Sequence, residues 1–147
     1  MTPTVVAMHL SQRSRAPLEP VERANLLSDR GLEGDRHAMP SNRRSVLLVE
    51  QEALDDFGLA PGAVREQVTV RGLALNQLAR GSRLGIGSAV VEVVGPCAPC
   101  ERMNELEPGL KDRIEGRRGH FVRVIESGSI SVGDAILILP PVGIPSA

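Results

Sequence analysis

Short segments rich in Val, Ile and Leu, separated by glycine and proline, recur along the whole chain and constrain its fold more than any other feature. β-branched residues favour extended backbone, and glycine and proline favour the turns between strands. The clearest predicted strands are Pro3–Met8, Arg44–Val49, Glu66–Val70, Ser82–Ile86, Ala89–Val94, Phe121–Glu126 and Ala135–Leu139. So many strands exclude a helical bundle.

Predicted helices are few and short. Glu50–Phe57 is amphipathic and ends before Gly58, and Gly109–Glu115 follows a proline and ends before a glycine. The last two predicted strands would be joined around a tight polar turn at Ser127-Gly128, and Pro140 and Pro141 would end the sheet. Because closure removes the exposed edges of a small sheet, the sequence predicts a mainly β protein, a closed or nearly closed β-barrel with a few short helices.

The chain has the size of one domain. A chain of 147 residues buries roughly 70% of its unfolded surface, and no Pro- or Gly-rich stretch is long enough to link two domains. We therefore expect a single domain over residues 1–147, with 140–147 as a tail. No apolar run approaches the roughly 20 residues of a membrane helix, and the first residues lack the features of a secretory signal. We expect a cytoplasmic protein with no membrane contact.

Composition argues against nucleic acid as a partner. The formal net charge is −1, and the chain has no Trp, no Tyr and two Phe, whereas nucleic-acid binders use a basic excess and aromatic stacking. Lys111 is the only lysine among 17 basic residues, the rest being arginine. A GC-rich genome is one explanation for this excess of arginine over lysine, and the fit of planar guanidinium groups to phosphate or carboxylate is another.

Both cysteines lie in the loop Gly95–Met103, which Pro96 and Pro99 stiffen. Three interpretations remain open at this point. Cys97 and Cys100 would be a redox pair, although the helix that such a pair needs is only weakly indicated. They would be half of a zinc site, although His37 and His120 are far away in the sequence. Alternatively, one thiolate binds a transition metal or carries sulfur, and other loops complete the site.

Two glycine-flanked polar stretches are further candidates. In Gly31-Leu-Glu-Gly-Asp-Arg-His37, Gly31 and Gly34 permit unusual backbone, Asp35 would orient His37, and Arg36 would hold an anion. In Gly116-Arg-Arg-Gly-His120, Arg117 and Arg118 would cradle a phosphate. The alternative for each stretch is a solvated surface turn. We assign no role to His9.

Several stretches, taken in order, resemble the small standalone MOSC domains, which are named for the C-terminal domain of molybdenum cofactor sulfurase. They are Gly31–His37, the strand Arg44–Glu50, Arg65-Glu-Gln-Val-Thr-Val-Arg-Gly-Leu73, Leu78-Ala-Arg-Gly-Ser-Arg-Leu-Gly-Ile-Gly87, Pro99-Cys100, Arg118-Gly119 and Ser127-Gly-Ser-Ile-Ser-Val-Gly-Asp134. The resemblance covers about residues 5–139.

The resemblance implies a β-barrel-like fold and a cysteine that ligates pterin-bound molybdenum or handles sulfur. The family cysteine follows a proline and is followed, after a short gap, by an aliphatic residue, which places it on Cys100, with Met103 behind it, and leaves Cys97 as an addition. Intact Gly31, Gly34 and Asp35 imply a cofactor site, and Gln67 stands where the family commonly has Asn. Arg36, Arg117 and Arg118 are the expected partners of a pterin phosphate, and His37 or His120 the expected proton donor.

The first functional hypothesis is a molybdenum–pterin oxidoreductase that reduces N-hydroxylated small molecules, with Cys100 as metal ligand and a separate protein as electron donor. The second is a sulfur carrier without bound metal, in which Cys100 takes a persulfide from a sulfur-donor protein. The third is an accessory module that binds the cofactor without turnover. Pyridoxal phosphate is not expected, and the substrate and oligomeric state stay open.

Overall fold

The computed structural model describes residues 2–140; most of the predicted tail, residues 141–147, lies outside the described residues. The strands are β1 (Thr4–Leu10), β2 (Glu19–Val21), β3 (Arg23–Leu27), β4 (Gly31–Leu32), β5 (Val46–Glu50), β6 (Val68–Arg71), β7 (Arg83–Ile86), β8 (Ala89–Pro96), β9 (His120–Glu126), β10 (Gly128–Ser131) and β11 (Ile136–Ile138). The α-helices are α1 (Gln51–Asp56), α2 (Arg102–Leu106) and α3 (Leu110–Arg113), and Leu75–Gln77 forms a 3₁₀ turn. None of the helices in the described range is long and apolar enough to span a membrane.

One strongly curled sheet dominates the fold. Its strand order is β11-β7-β8-β9-β5-β6-β1-β2, and β10-β3-β4 form a second, smaller sheet. Neighbouring strands are antiparallel except β5 and β6, whose parallel pairing is joined through α1. A single bridge between Thr4 and Ala135 brings β1 towards the segment before β11. The predicted mainly β, barrel-type fold is confirmed, and the sheet is a half-barrel that is not closed.

The core lies on both faces of the central strand β5. Its residues 46–49 are all buried, because alternate side chains enter two different clusters. Val46 and Leu48 belong to the main core inside the curled sheet. Leu47 and Val49 belong to a smaller cluster on the outer face, where they pack with apolar residues of the helices and loops. Burial on both faces explains why this strand has a continuous apolar run rather than an alternating one.

The seven predicted strands and two predicted helices all form, with shifted ends. The predicted hairpin near the C-terminus is wrong in its pairing. Residues 128–131 form β10, which pairs with β3, and β11 pairs with β7 instead of β9. Four short strands, β2, β3, β4 and β10, were not predicted, and neither was α2.

Candidate functional site

A cavity of about 380 Å³ lies on the outer face of the sheet, over β5 and β9. Leu47 and Phe121 are partners across these two strands, so their side chains share one face, and both line the cavity. Val64 and Met103 of the smaller apolar cluster complete the apolar part of its wall. The site therefore lies on a strand that is buried on both faces.

Polar side chains reach this cavity from four separate segments of the chain. The polar lining residues are Arg36, His37, Asn42 and Arg44 before β5, Arg65 and Gln67 before β6, Cys97, Cys100 and Arg102 after β8, and Arg118 before β9. One hydrogen bond joins the segments after β8 and before β9, and another holds the segment before β5 together. The Cys97 N–H donates to the Gly119 carbonyl at 2.8 Å, and the Asn42 side-chain amide donates to the His37 carbonyl at 2.8 Å.

Gly119 is required where the last of these segments passes against β5. Its φ is +109°, and a Cβ built there would clash with the carbonyl oxygen of Leu48. Only glycine combines this backbone conformation with such a close approach. The approach sets Arg118 at the cavity and starts β9 directly behind it.

The cavity is strongly cationic. Five arginines line it, and no aspartate or glutamate does: Arg36, Arg44, Arg65, Arg102 and Arg118. None of the five forms an ion pair with a carboxylate within residues 2–140; five of the other arginines and Lys111 do, and the remaining six arginines do not line this cavity. In a protein with a net charge of −1, this concentration of unpaired guanidinium groups marks a site for an anion.

Arg118 is the most constrained of the five. It is only 8% exposed, and its Nε and Nη1 atoms are buried without a hydrogen-bond partner among the described residues. A buried donor without a partner costs stability, and native proteins rarely keep one without a reason. Arg44, by contrast, is exposed and stacks on Phe121, with its guanidinium carbon 4.9 Å from the ring centre.

A hydrogen-bonded group of Asp35, His37 and Gln67 forms another part of the wall. Asp35 Oδ1 accepts from the His37 backbone N–H at 2.9 Å and lies 2.8 Å from His37 Nδ1. Asp35 Oδ2 accepts from the Ser11 backbone N–H at 2.8 Å and from Gln67 Nε2 at 3.4 Å. Because a carboxylate only accepts, His37 Nδ1 carries the proton of that bond, and Nε2 is the atom left to exchange a proton with a ligand.

The carboxylate of Asp35 is fully buried, and the imidazole of His37 is 34% exposed. Burial acts to raise the pKa of Asp35, but the hydrogen bonds from His37 and Ser11 outweigh burial and hold the pKa below its usual range. Asp35 is therefore an anion that orients the imidazole. Gln67 also ties this group to the sheet, because its Oε1 accepts from the Leu47 N–H at 2.8 Å.

Ser11 connects the Asp35 group to the arginines. Its hydroxyl lies 3.3 Å from both Arg36 Nε and Arg65 Nη2 and accepts from each. Burial lowers the pKa of Arg65, and repulsion from Arg102 and Arg36 lowers it further. The guanidinium groups thus stand close enough to destabilise one another, which an anion bound between them would relieve.

Both cysteines are free thiols that line the cavity. Cys100 is exposed, and Cys97 is half-buried. Burial raises the pKa of the Cys97 thiol, and the nearby Arg118 and Arg44 oppose that effect only in part. Residues 2–140 contain no group of three or more His, Cys, Asp and Glu side chains that would hold a metal ion. A metal at Cys100 would need most of its ligands from a bound molecule.

The structure brings many of the predicted site residues together at this cavity: Arg36, His37, Gln67, Cys100 and Arg118 line it, and Asp35 lies directly behind His37. Gly31, at the start of β4, and Gly34, in the turn that leads to Asp35, adopt positive φ values of 142° and 91°, but they do not line the cavity. Arg117 instead forms an ion pair with Asp56 at 2.9 Å.

His120 is not at the cavity. It is buried on β9, opposite Leu48, and burial lowers its pKa. Four further residues line the cavity that no sequence motif singles out: Asn42, Arg44, Arg65 and Arg102. The excess of arginine over lysine was the one signal of these groups, and it does not say which arginines share a cavity.

Comparisons with known proteins agree on one fold. A family model described as "MOSC domain" matches residues 29–137. YuaD from Bacillus subtilis is similar over 92% of this chain and 94% of its own, with 21% identity and a TM-score of 0.76. YiiM from Geobacillus stearothermophilus is similar over 94% of this chain and 75% of its own, with 20% identity and a TM-score of 0.75. YiiM from Escherichia coli has 19% identity and a TM-score of 0.71 over 96% of this chain and 72% of its own. Among curated proteins, no sequence matches this one significantly.

Proposed function

This chain belongs to the MOSC domain family, and from that premise we propose that its arginine-lined cavity binds a molybdenum–pterin cofactor with which the protein reduces N-hydroxylated small molecules. One observation carries the proposal: five arginines without carboxylate partners converge on the cavity that also holds an exposed cysteine. A ligand that is both anionic and metal-bearing satisfies both features.

The residues present fit such a group. The phosphate of a pterin cofactor needs several hydrogen-bond donors, and Arg118 holds two that are buried without a partner in the described part of the chain. The side chains of Arg36 and Arg65 lie close together, because both donate a hydrogen bond to the Ser11 hydroxyl. Molybdenum in a pterin receives sulfur ligands from the pterin itself, so a single protein thiolate suffices. Cys100 is that thiol, because it is exposed where Cys97 is half-buried.

The bound cofactor would supply the two-electron redox change. Reduction of an N–O bond to N–H and water also consumes two protons; His37 can hold one of them at the cavity, and solvent supplies the other. Asp35 keeps the ring oriented through Nδ1, so the proton is exchanged at Nε2. A separate electron-donor protein would supply the electrons.

The test measures molybdenum content and oxidised-pterin fluorescence after anaerobic purification from cells with ample cofactor. We expect close to one molybdenum per chain in the unaltered protein and in Cys97→Ser, and loss of molybdenum in Cys100→Ser. Cys97→Ser is the matched control, because it removes a thiol from the same loop and the same cavity. The chain has no Trp or Tyr, so a pterin chromophore stands out in its near-ultraviolet spectrum. Molybdenum retained in Cys100→Ser would refute the assignment of the ligand.

A second candidate function is sulfur transfer, which the presence of two free thiols in one cavity favours. A persulfide on Cys100 would pass its outer sulfur to an acceptor thiolate, leaving Cys100 as a thiolate. If Cys97 attacked the inner sulfur instead, a Cys97–Cys100 disulfide would form and hydrosulfide would leave. Mass spectrometry distinguishes this function: metal-free protein would carry one added sulfur on Cys100, which a reductant would remove. Protein with neither molybdenum nor persulfide would favour an accessory binding module.

A further inference from the structure

Arginines continue beyond the cavity along the outer face of the sheet. Phe121, which lines the cavity, and Arg123 are two residues apart on β9, so their side chains lie on the same face. Arg123 is the cross-strand partner of Glu92 on β8, and Glu92 is the cross-strand partner of Arg83 on β7. Three neighbouring strands therefore present a row of charged side chains next to the cavity.

Glu92 holds two of these arginines in place. Its Oε1 accepts from Arg123 Nε at 3.0 Å, and its Oε2 accepts from Arg83 Nε at 3.2 Å. The side chain of Glu92 is only 15% exposed, whereas the side chains of Arg83 and Arg123 are 27% and 34% exposed. Each carboxylate oxygen is thus bonded to an arginine, and the positive groups are more exposed to solvent than the negative one.

Two further arginines extend this row. Arg43 and Arg80 are exposed, and together with Glu92 they line a cavity of about 290 Å³. A Cβ placed on Gly95 would lie 3.7 Å from Arg80 Nη2, so this guanidinium group lies beside the start of the cysteine loop. Neither Arg43 nor Arg80 forms an ion pair with a carboxylate within residues 2–140.

These five side chains form a surface that we call the arginine face: Arg43, Arg80, Arg83, Glu92 and Arg123. Four guanidinium groups and one carboxylate leave an excess of three positive charges. The arginine face is continuous with the cationic cavity, because Arg43 directly precedes Arg44, which lines the cavity and stacks on Phe121. A surface with an excess of one sign of charge selects a partner of the opposite sign.

A protein with surface carboxylates fits the arginine face better than nucleic acid does. Single-stranded nucleic acid is bound by aromatic stacking, and the ring of Phe121 is already covered by Arg44. A duplex extends well beyond four arginines and meets a chain whose formal net charge is −1. An acidic patch on a globular protein needs only the few charge pairs that the arginine face provides.

The proposed function supplies a reason for such a partner. Reduction of one N–O bond takes up two electrons and two protons and yields N–H and water. A one-electron donor protein must therefore dock twice for each bond, and it is oxidised by one electron at each encounter. Electron-transfer complexes have small interfaces, and their opposite charges favour rapid association.

We propose that the arginine face is the docking surface for the acidic face of the electron-donor protein, a flavin or iron–sulfur protein that passes one electron per encounter to the group bound in the cavity. The role of this partner as electron donor rests on the proposed function. Binding of an acidic protein does not, because it depends only on the arginine face.

The test uses flavodoxin, an acidic FMN protein, as the probe. Its Kd for the full-length protein is measured by calorimetry in about 25 mM and about 200 mM salt, and we expect it to rise about tenfold or more with salt, because exposed charges are screened. Cytochrome c, a basic redox protein, should not bind. The backbone amide NMR signals of Arg43, Arg80 and Arg123 should shift when flavodoxin is added.

Arg43→Glu combined with Arg80→Glu should weaken flavodoxin binding about tenfold or more. Both residues are exposed and have no carboxylate partner in the described chain, so the double variant should keep the Tm of the unaltered protein. Arg23→Glu combined with Arg71→Glu is the matched control, because it changes the net charge equally at two exposed arginines of β3 and β6. Its Kd should stay within about twofold of the unaltered protein.

Three results would overturn the inference: no flavodoxin binding in low salt, equal losses in the two double variants, or tighter binding of duplex DNA than of flavodoxin in the same buffer. Failure of the proposed function has a different signature. A protein that never takes up molybdenum but binds flavodoxin through the arginine face would refute that function and leave the docking surface assigned.

Discussion

Replacing Arg118 by methionine should make the protein more stable and its anion binding weaker. Methionine has a similar length and no hydrogen-bond donors, so the substitution removes two buried nitrogen atoms that lack a partner in the described chain and fills much of the same space. A buried polar group without a partner costs about 1–3 kcal/mol. We therefore expect the free energy of unfolding to rise by about 2 kcal/mol, which corresponds to an increase in Tm of about 4–8 °C for a chain near 150 residues.

The assay is thermal and urea unfolding followed by circular dichroism, because the chain has no Trp or Tyr to report by fluorescence. Arg117→Met is the matched control. Arg117 is half-buried and pairs with a largely exposed Asp56, so its loss should lower stability by about 0–1 kcal/mol. Pyrophosphate at about 100 times its Kd should then stabilise the unaltered protein by about 2.7 kcal/mol, and Arg118→Met by much less.

Two results would refute this reasoning. If Arg118→Met unfolds more readily than the unaltered protein in anion-free buffer, Arg118 is a structural residue whose contacts stabilise the fold. If pyrophosphate raises the free energy of unfolding of the variant as much as that of the unaltered protein, the anion binds elsewhere. Both results together would remove the main support for an anion site at this position.

Three further predictions concern Asp35, Gly119 and the two thiols. Because hydrogen bonds hold the folded-state pKa of Asp35 below its usual range, the stability that Asp35 contributes is complete above that range and is lost as the pH falls through the folded-state pKa. Between about pH 5 and pH 3, the urea midpoint of Asp35→Asn should therefore fall less than the midpoint of the unaltered protein. An equal fall of the two midpoints with pH would contradict this prediction. Gly119→Ala should lower the free energy of unfolding, measured in urea titrations, by at least about 2 kcal/mol. Gly133→Ala is the control and should lower it less, because the φ of Gly133 is also positive but a Cβ there would meet nothing within 4 Å. Equal losses in the two variants would rule out the clash with Leu48. Iodoacetamide should modify Cys100 before Cys97 in timed peptide mapping, because Cys97 is half-buried and burial raises its pKa. Raising the pH should bring the two rates of modification closer together. The reverse order would contradict the assignment of Cys100 as the accessible thiol.

The strands that the sequence predicts carry most of the buried apolar residues of the main core. Alternation in β8 and β9 and the apolar run of β5 are signals of burial, and burial is what a single sequence records best. β2 and β10 leave no such signal, since their residues are mainly exposed or half-buried. The pairing of β10 with β3 joins segments about a hundred residues apart, which no local pattern encodes. For the same reason, the Ser127-Gly128 stretch was wrongly interpreted as a hairpin turn.

The candidate site divides in the same way. Cys100, Asp35 and His37 lie in short stretches that resemble the family's, which is why the sequence singles them out, and the structure places them at the cavity or directly behind it. Arg65 and Arg102 were missed because their role depends on which loops meet over β5, and an arginine beside a strand is ordinarily solvated. Arg117 and Arg118 show most clearly that neighbours in the sequence can have different environments in the structure. They are adjacent in sequence, yet one pairs with Asp56 on the surface and the other is buried at the cavity.

The separation of charge in this molecule also has a kinetic consequence. Although the net charge is −1, five arginines without a carboxylate partner in the described chain line one opening, so an approaching anion is attracted by that side of the molecule. This electrostatic field also orients the ligand during association, because its anionic end is attracted towards the opening. The association rate of a phosphate-bearing ligand should therefore fall steeply with added salt, since the Debye length shrinks from about 10 Å at 0.1 M to about 3 Å at 1 M. The dissociation rate, which depends on contacts inside the cavity, should change much less.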